Sequence, residues 1–345
     1  MNPFLGVMFH ALGGVAAGSF YLPYKVLKKW PWEVYWLFGG IFAWLIVPLC
    51  VVFFVYGEPM KLLDLIVLEQ LKWPYVFGVL WGIGGLSFGL SMRYLGIALG
   101  MAVTLGLTAI FGTLIPVFMD GSFLQLGETL AGQVSLSGVF LGVLGTFLIG
   151  KAGKLKEREL ESREKSGPLE EFNYQKGISV AAISGLLSAC FALGIASGKE
   201  ITLATEHMAS SPLLSNSALF FVIMAGGLTS NIAWCGYQIK KRRSIDIIRK
   251  VGKFQSFSNM LLCISAGTIW YFQFFFYGMG STQMGQLDFA SWSLHMSFII
   301  LVSNIWGWVI GEWNGTSQKT KVTIIAGVII LMVSTVVIGY GNYLN

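Results

Sequence analysis

Asp288 and His295 sit seven residues apart in a stretch, Trp270 to Trp308, that is crowded with aromatic side chains and contains no Lys or Arg. Ionisable groups are costly in surroundings like these, and inside a membrane span they characteristically face a cavity, a partner or a transport path. Seven residues make two helical turns, so both side chains project from one face about 10 Å apart along the axis. That spacing suits a proton relay or a shared polar cavity better than a direct acid–imidazole pair. Asp288 is the leading candidate to take up and release a proton; the plainer reading is an interfacial acid in a first helical turn, where it complements the dipole. His295, two turns along, and His10, in the first apolar stretch, are candidates to relay the proton or to hydrogen-bond a polar ligand. A lone imidazole otherwise simply serves a backbone carbonyl.

The elements that must hold these groups follow from composition. Apolar residues make up 55% of the 345, charged residues 12%, and the mean hydropathy is +0.69. A soluble domain carries about 25% charged residues, so the chain reads as an all-α integral membrane protein. Stretches long enough to cross a bilayer occur at 4–24, 34–56, 74–93, 95–119, 134–151, 176–198, 214–238, 257–280, 287–311 and 322–343, which predicts ten transmembrane helices. Of the 23 Lys and Arg, 20 fall in the odd-numbered connections, and only Lys61, Lys72 and Lys199 fall elsewhere. Basic residues stay on the cytoplasmic side, so both termini are expected in the periplasm, and Asp288 and His10 in the outer halves of their spans. The net charge of +6 is accounted for by a basic face against anionic lipid and does not call for nucleic acid. Four cysteines, Cys50, Cys190, Cys235 and Cys263, lie in or near spans without paired spacing and read as small apolar packing residues.

The charged segment 152–175 divides the spans five and five, with 1–151 and 176–345 as the two halves. An odd number of spans in each half gives the halves opposite orientations, the inverted-repeat plan in which ligand binds near the midplane. Internal similarity agrees with this. Gly13–Phe20 (GGVAAGSF) parallels Ser184–Phe191 (SGLLSACF). Trp81–Gly96 aligns without gaps on Trp270–Gly285, matching Trp81 to Trp270, Gly89 to Gly278 and Gly96 to Gly285.

Several blocks are too unusual to be generic lipid-facing sequence: FYLPYKVLKKWPWE (Phe20–Glu33), WGIGGLSFGLSMRYLG (Trp81–Gly96), AGKLKERE followed by EEFN, WYFQFFFYG (Trp270–Gly278) and LDFASWSLHMSF (Leu287–Phe298). With their spacing they resemble the L-rhamnose–proton symporters of the drug/metabolite transporter superfamily, over most of the chain. The resemblance implies a ten-helix, five-plus-five transporter of the bacterial inner membrane that imports a deoxy-sugar by proton symport. It also places His at positions 10 and 295 and Asp at 288. The alternative is a carrier of the same superfamily that exports or exchanges another small metabolite.

A neutral polyol needs stacking faces and fixed hydrogen-bonding groups in a mostly apolar pocket. Trp270, Tyr271, Gln273, Tyr277, Gln286 and Trp292 supply them late in the chain, Phe20, Tyr21 and Tyr24 near its start, and Trp81 and Asn231 between. Most such aromatics otherwise pack against helices or lipid headgroups. Gln273 is the sharpest candidate, because a primary amide in the bilayer must find partners. Glu33, Arg93 and Glu312 at span ends read as snorkelling groups or loop ion pairs, with a gate contact as the sharper option. The expected coupling ion is the proton, with sodium left open, and the expected partners are the sugar and the bilayer. No cofactor, metal or enzymatic activity is expected: ATP-loop and Cys/His ligand spacings are missing.

Overall fold

The computed structural model describes residues 2–119, 127–161, 172–285 and 291–344. The helices are α1 (Pro3–Ser19), α2 (Leu22–Lys25), α3 (Trp32–Ile41), α4 (Val47–Tyr56), α5 (Leu62–Leu65), α6 (Leu68–Leu95), α7 (Ile97–Met119) and α8 (Leu130–Glu161). They continue as α9 (Tyr174–Ser188), α10 (Cys190–Ser197), α11 (Lys199–Thr205), α12 (Ser217–Arg242), α13 (Ser244–Arg249), α14 (Lys253–Met284), α15 (Ser291–Val309) and α16 (Gln318–Tyr343). No strand occurs among the described residues. Among the described residues, eight helical stretches are long and apolar enough to cross a membrane, and two shorter apolar helices, Ile97–Gly112 and Leu294–Val309, fall where spans 95–119 and 287–311 are expected.

The breaks have local causes. α1 stops at Ser19, and the chain turns through Phe20 and Tyr21 before Pro23 opens α2. α9 gives way to α10 at Ala189, and a π-helical turn, Phe42–Ile46, joins α3 to α4. Gly96 and Gly285 follow the last residues of α6 and α14 with φ of +89° and +57°. A residue just past a helix end commonly takes this left-handed conformation, which glycine adopts without a Cβ penalty. Gly96 and Gly285 form one of the two glycine pairs matched in the internal alignment.

The chain forms two compact units, and each takes segments from both sequence halves: Met1–Gly18, Gly84–Ala189 and Gln283–Asn345 in the first, Ser19–Ile83 and Cys190–Thr282 in the second. In the alignment of Gly13–Phe20 with Ser184–Phe191, the cut after Gly18 and the cut after Ala189 fall at the same place.

In the first unit, small residues set the packing. Gly14 and Gly18 of α1 lie against Phe298–Ile299 and Val302–Ser303 of α15, so the contacts advance in the same order and the two helices run parallel. Gly138, Gly142 and Gly145 of α8 meet Ile338, Ser334 and Leu331 of α16 in reversed order, hence antiparallel. A methyl group on Gly145 would sit 2.9 Å from the Leu331 nitrogen, so the close approach depends on its absence.

α8 has 32 residues, about 48 Å of helix against about 30 Å of hydrocarbon. The first part of the expected linker, through Glu161, is therefore a helical extension of a span, while 162–171 lie outside the described residues. The Glu159 carboxylate accepts from the Ser317 backbone N–H (2.7 Å), the Ser317 hydroxyl (2.6 Å) and the Thr320 hydroxyl (2.8 Å) at the start of α16. Glu157 accepts from the backbone N–H of Tyr174 at the start of α9 (3.3 Å).

In the second unit, Gly78 and Gly82 of α6 approach the backbone of α12 at Ile223 and Gly227, and Gly39 of α3 meets Gly267 of α14. All four cysteines are free, with Cys50 exposed and the other three buried.

Candidate functional site

His10 and His295 come together in the first unit. Four-residue steps put His10, Gly14 and Gly18 on one face of α1, and His295, Phe298 and Val302 share a face of α15. The close approach at Gly14 and Gly18 carries the two imidazoles to a centroid separation of 5.9 Å, edge to face. Both are buried. The helix that carries His295 is held to α16 by a short hydrogen bond between the Ser297 and Thr335 hydroxyls. Trp292 is half-buried, with its indole nitrogen toward Gly112 of α7. Asp288 and Gln286 lie outside the described residues.

The second unit holds an aromatic cavity. The turn after α1 delivers Phe20 onto Trp270, with ring centroids 4.3 Å apart, and brings Tyr24 against Tyr35 at 5.0 Å. The cavity is small, about 10 Å³, and is lined by Phe20, Tyr24, Trp36, Gly39, Gly40, Ala43, Trp44, Gly267 and Trp270. That is room for about one water, so side chains must move to admit a ligand the size of a monosaccharide. Trp36, Gly40 and Trp44 recur every four residues on one helix face, and the π-turn at Phe42–Ile46 sets the direction of Trp44. Trp81 packs beyond the cavity, against Trp44, Phe191 and Phe274. Trp270 meets the same Phe274, so the two tryptophans that the internal alignment pairs converge on one ring.

Among the polar candidates, Asn231 is fully buried and its amide is committed: its Oδ1 accepts from the Trp36 indole N–H (2.9 Å), and its Nδ2 donates to the carbonyls of Gly227 (2.7 Å) and Gly82 (3.2 Å). Asn231 therefore orients Trp36. Gln273 is also buried, one helical turn from Trp270 and Tyr277, and its Nε2 has no hydrogen-bond partner. A buried donor left unpaired costs about 1–3 kcal/mol, so this amide is available to a ligand hydroxyl. Tyr21 and Tyr271 are buried and Tyr277 half-buried. Trp36, Trp44, Gly39, Gly40 and Gly267 were not among the expected site residues, although the four-residue recurrence of Trp36, Gly40 and Trp44 was a usable signal.

The two carboxylates at span ends, Glu312 and Glu33, are buried, and Glu33 has the expected ion pair. Glu312 is buried and accepts from the first backbone N–H groups of α7, Ile97 (2.7 Å) and Ala98 (3.0 Å), beside Gly96. Glu33 is buried at the start of α3, accepts from the Ser244 hydroxyl (2.5 Å) and lies 3.7 Å from the Arg242 guanidinium.

The arrangement offers two buried imidazoles and an aromatic, nearly uncharged cavity. Among the described residues, no three His, Cys, Asp or Glu side chains cluster to hold a metal. The string GLSFG (Gly85–Gly89) has the GxSxG form of a nucleophile elbow, but it runs inside the continuous helix α6 and lacks the strand-to-helix turn that exposes such a serine.

The profile of the L-rhamnose-proton symport protein family matches residues 2–343. L-rhamnose-proton symporters of Shigella flexneri, Escherichia coli O17:K52:H18 and Klebsiella pneumoniae subsp. pneumoniae are each 33% identical to this chain, over 98% of it and 97% of theirs. No solved structure matches. A full-length profile match, joined to relatives aligned end to end, means that this chain belongs to the L-rhamnose-proton symport protein family, a family of membrane transporters.

Proposed function

We propose that this chain imports L-rhamnose or a closely related deoxy-sugar across the bacterial inner membrane by proton symport. One observation carries the coupling half of this reading: His10 and His295, from opposite ends of the sequence, meet inside an apolar helical body. Two imidazolium ions 5.9 Å apart would repel by about 3 kcal/mol at an effective dielectric of 20, so the pair carries one extra proton at a time. Asp288 is the entry acid in this reading, the His pair passes the proton inward, and Gln273 and the cavity tryptophans hold the sugar. The proton is the coupling ion. Occupancy of both sites favours reorientation, and no covalent chemistry is involved.

The reading includes ten spans, a five-plus-five inverted repeat divided at 152–175, and both termini in the periplasm. The parallel run of α1 with α15 and the antiparallel run of α8 with α16 agree with spans 1, 5 and 9 sharing one direction and span 10 opposing it. The left-handed glycines after α6 and α14, and the matching cuts near Gly18 and Ala189, support the repeat.

Uptake of labelled L-rhamnose into proteoliposomes containing only this chain tests the function. An inward proton gradient is expected to drive accumulation, and a protonophore to abolish it. Accumulation that survives the protonophore would replace the proton with another coupling ion such as sodium, and protonophore-insensitive counterflow without accumulation would replace symport with exchange.

A further inference from the structure

We infer that the connection between α12 and α14 is a binding surface for anionic phospholipid headgroups of the cytoplasmic leaflet, linked through Glu33 to the helix that lines the aromatic cavity. Taken with the last turn of α12 and the first residue of α14, from Lys240 to Lys253, it carries seven basic residues against the single acid Asp246. The chain has 23 Lys and Arg and 17 Asp and Glu; taking away these seven and this one leaves sixteen of each. The entire formal net charge of +6 therefore resides on this connection.

Membrane orientation alone requires basic residues on the cytoplasmic side but leaves them free to be neutralised. The other long charged connection, 151–176, also has seven basic residues, yet it interleaves six acids. From the last turn of α12 to the first residue of α14 all seven basic side chains are exposed. Bare apolar groups stand among and just beyond them: Ile245 and Ile247 are about half exposed, and Phe254 is 87% exposed. Cationic heads beside uncovered apolar side chains match the boundary between phosphate headgroups and acyl chains. A soluble acidic partner would satisfy the charge and leave Phe254 unexplained.

The surface is anchored. Arg243, at φ +51°, ends α12 and turns the chain into α13. The next residue, Ser244, is buried and donates to Glu33, beside which Arg242 also sits. Asn259, early in α14, donates to the Lys28 carbonyl (2.8 Å) in the connection before α3. Glu33 opens α3, and the following turns carry Trp36, Gly39 and Gly40 to the cavity. A phosphate that draws Arg242 away from Glu33 alters the anchor of the helix that shapes the sugar cavity. This link rests on the reading of the cavity as the sugar site; the lipid surface itself does not.

The test compares the full chain with Lys240→Gln/Lys241→Gln/Arg249→Gln/Lys250→Gln, which leaves the Glu33 contacts in place, and with Glu33→Gln. Exchange of a fluorescent phosphatidylglycerol onto the solubilised protein reads headgroup binding directly. L-rhamnose counterflow in proteoliposomes of phosphatidylcholine, with or without about 30% phosphatidylglycerol, reads its consequence. The wild type is expected to prefer phosphatidylglycerol over a phosphatidylcholine analogue about tenfold, and to run faster in the anionic vesicles. The quadruple variant, with an unchanged unfolding midpoint, is expected to lose both effects. Glu33→Gln is expected to keep lipid binding and lose the acceleration. Equal binding of the two lipids by the wild type, undiminished preference in the quadruple variant, or equal affinity for soluble heparin would overturn the inference. Selective lipid binding without L-rhamnose transport in any vesicle would uphold the lipid surface and sink the sugar reading instead.

Discussion

The proposed proton relay rests on two buried imidazoles, His10 and His295, whose rings face each other at 5.9 Å. Removing one ring takes away the partner with which, in that proposal, a proton is shared. His295→Gln keeps hydrogen-bonding capacity and cannot carry the charge. It is expected to cut gradient-driven accumulation at least tenfold while leaving L-rhamnose counterflow within about threefold, the separation that a coupling free energy between two sites produces. Equal loss of both activities would make His295 a structural group. Gln273 is the proposed sugar contact. Its buried, unpartnered Nε2 should gain a bond when a hydroxyl arrives, so Gln273→Ala is expected to weaken sugar binding about 5- to 100-fold with little change in thermal stability. Titration of binding in detergent checks this, and unchanged affinity would remove Gln273 from the site. The sequence singled out both residues by a local argument, the cost of polarity in lipid. Asn231 entered the sugar candidates because a polyol needs fixed hydrogen-bonding groups, and the structure shows its amide bonded to Trp36, Gly82 and Gly227. Polarity shows that a buried group needs partners; only neighbours brought in from other helices show which ones it has.

Helix ends carry much of what positions these side chains. Gly96 closes α6 at φ +89°, and a methyl group there would lie 2.9 Å from the Glu312 carboxylate that caps α7. Gly285 closes α14 at φ +57°, inside the region that other residues enter at about 1–2 kcal/mol. Gly96→Ala is therefore expected to destabilise the fold more than Gly285→Ala, by about 1–3 kcal/mol, and to show the lower unfolding midpoint. Thermal scans in detergent measure it, and an equal or reversed order would contradict the capping role given to Glu312. The glycine pair was legible as a gap-free alignment in the sequence. The breaks after Ser19 and at Ala189, and the π-turn at Phe42–Ile46, were not, because apolar content runs unbroken through all three and hydropathy does not register backbone geometry.

At the scale of the molecule, the alternating topology can be checked from either side of the membrane. Single cysteines in a background without the four native ones should label oppositely: Lys241→Cys from the cytoplasmic side, Lys61→Cys from the periplasmic side. Labelling of both from one side would break the span parity on which the inverted repeat rests. Composition determined, from the sequence alone, that this is a helical membrane protein, basic-residue bias supplied the orientation proposed for it, and its unusual aromatic blocks pointed to the family. These properties are read residue by residue, because the bilayer tests apolar length and charge locally and needs no tertiary contact to do so. Only the tertiary structure decided that His10 meets His295, that Trp36 and Trp44 share a cavity with Phe20 and Trp270, and that Asn231 is a strut. Those meetings depend on helices approaching at positions such as Gly14, Gly18, Gly39 and Gly267. Which faces can come together there is a property of two backbones at once, and neither segment carries it by itself.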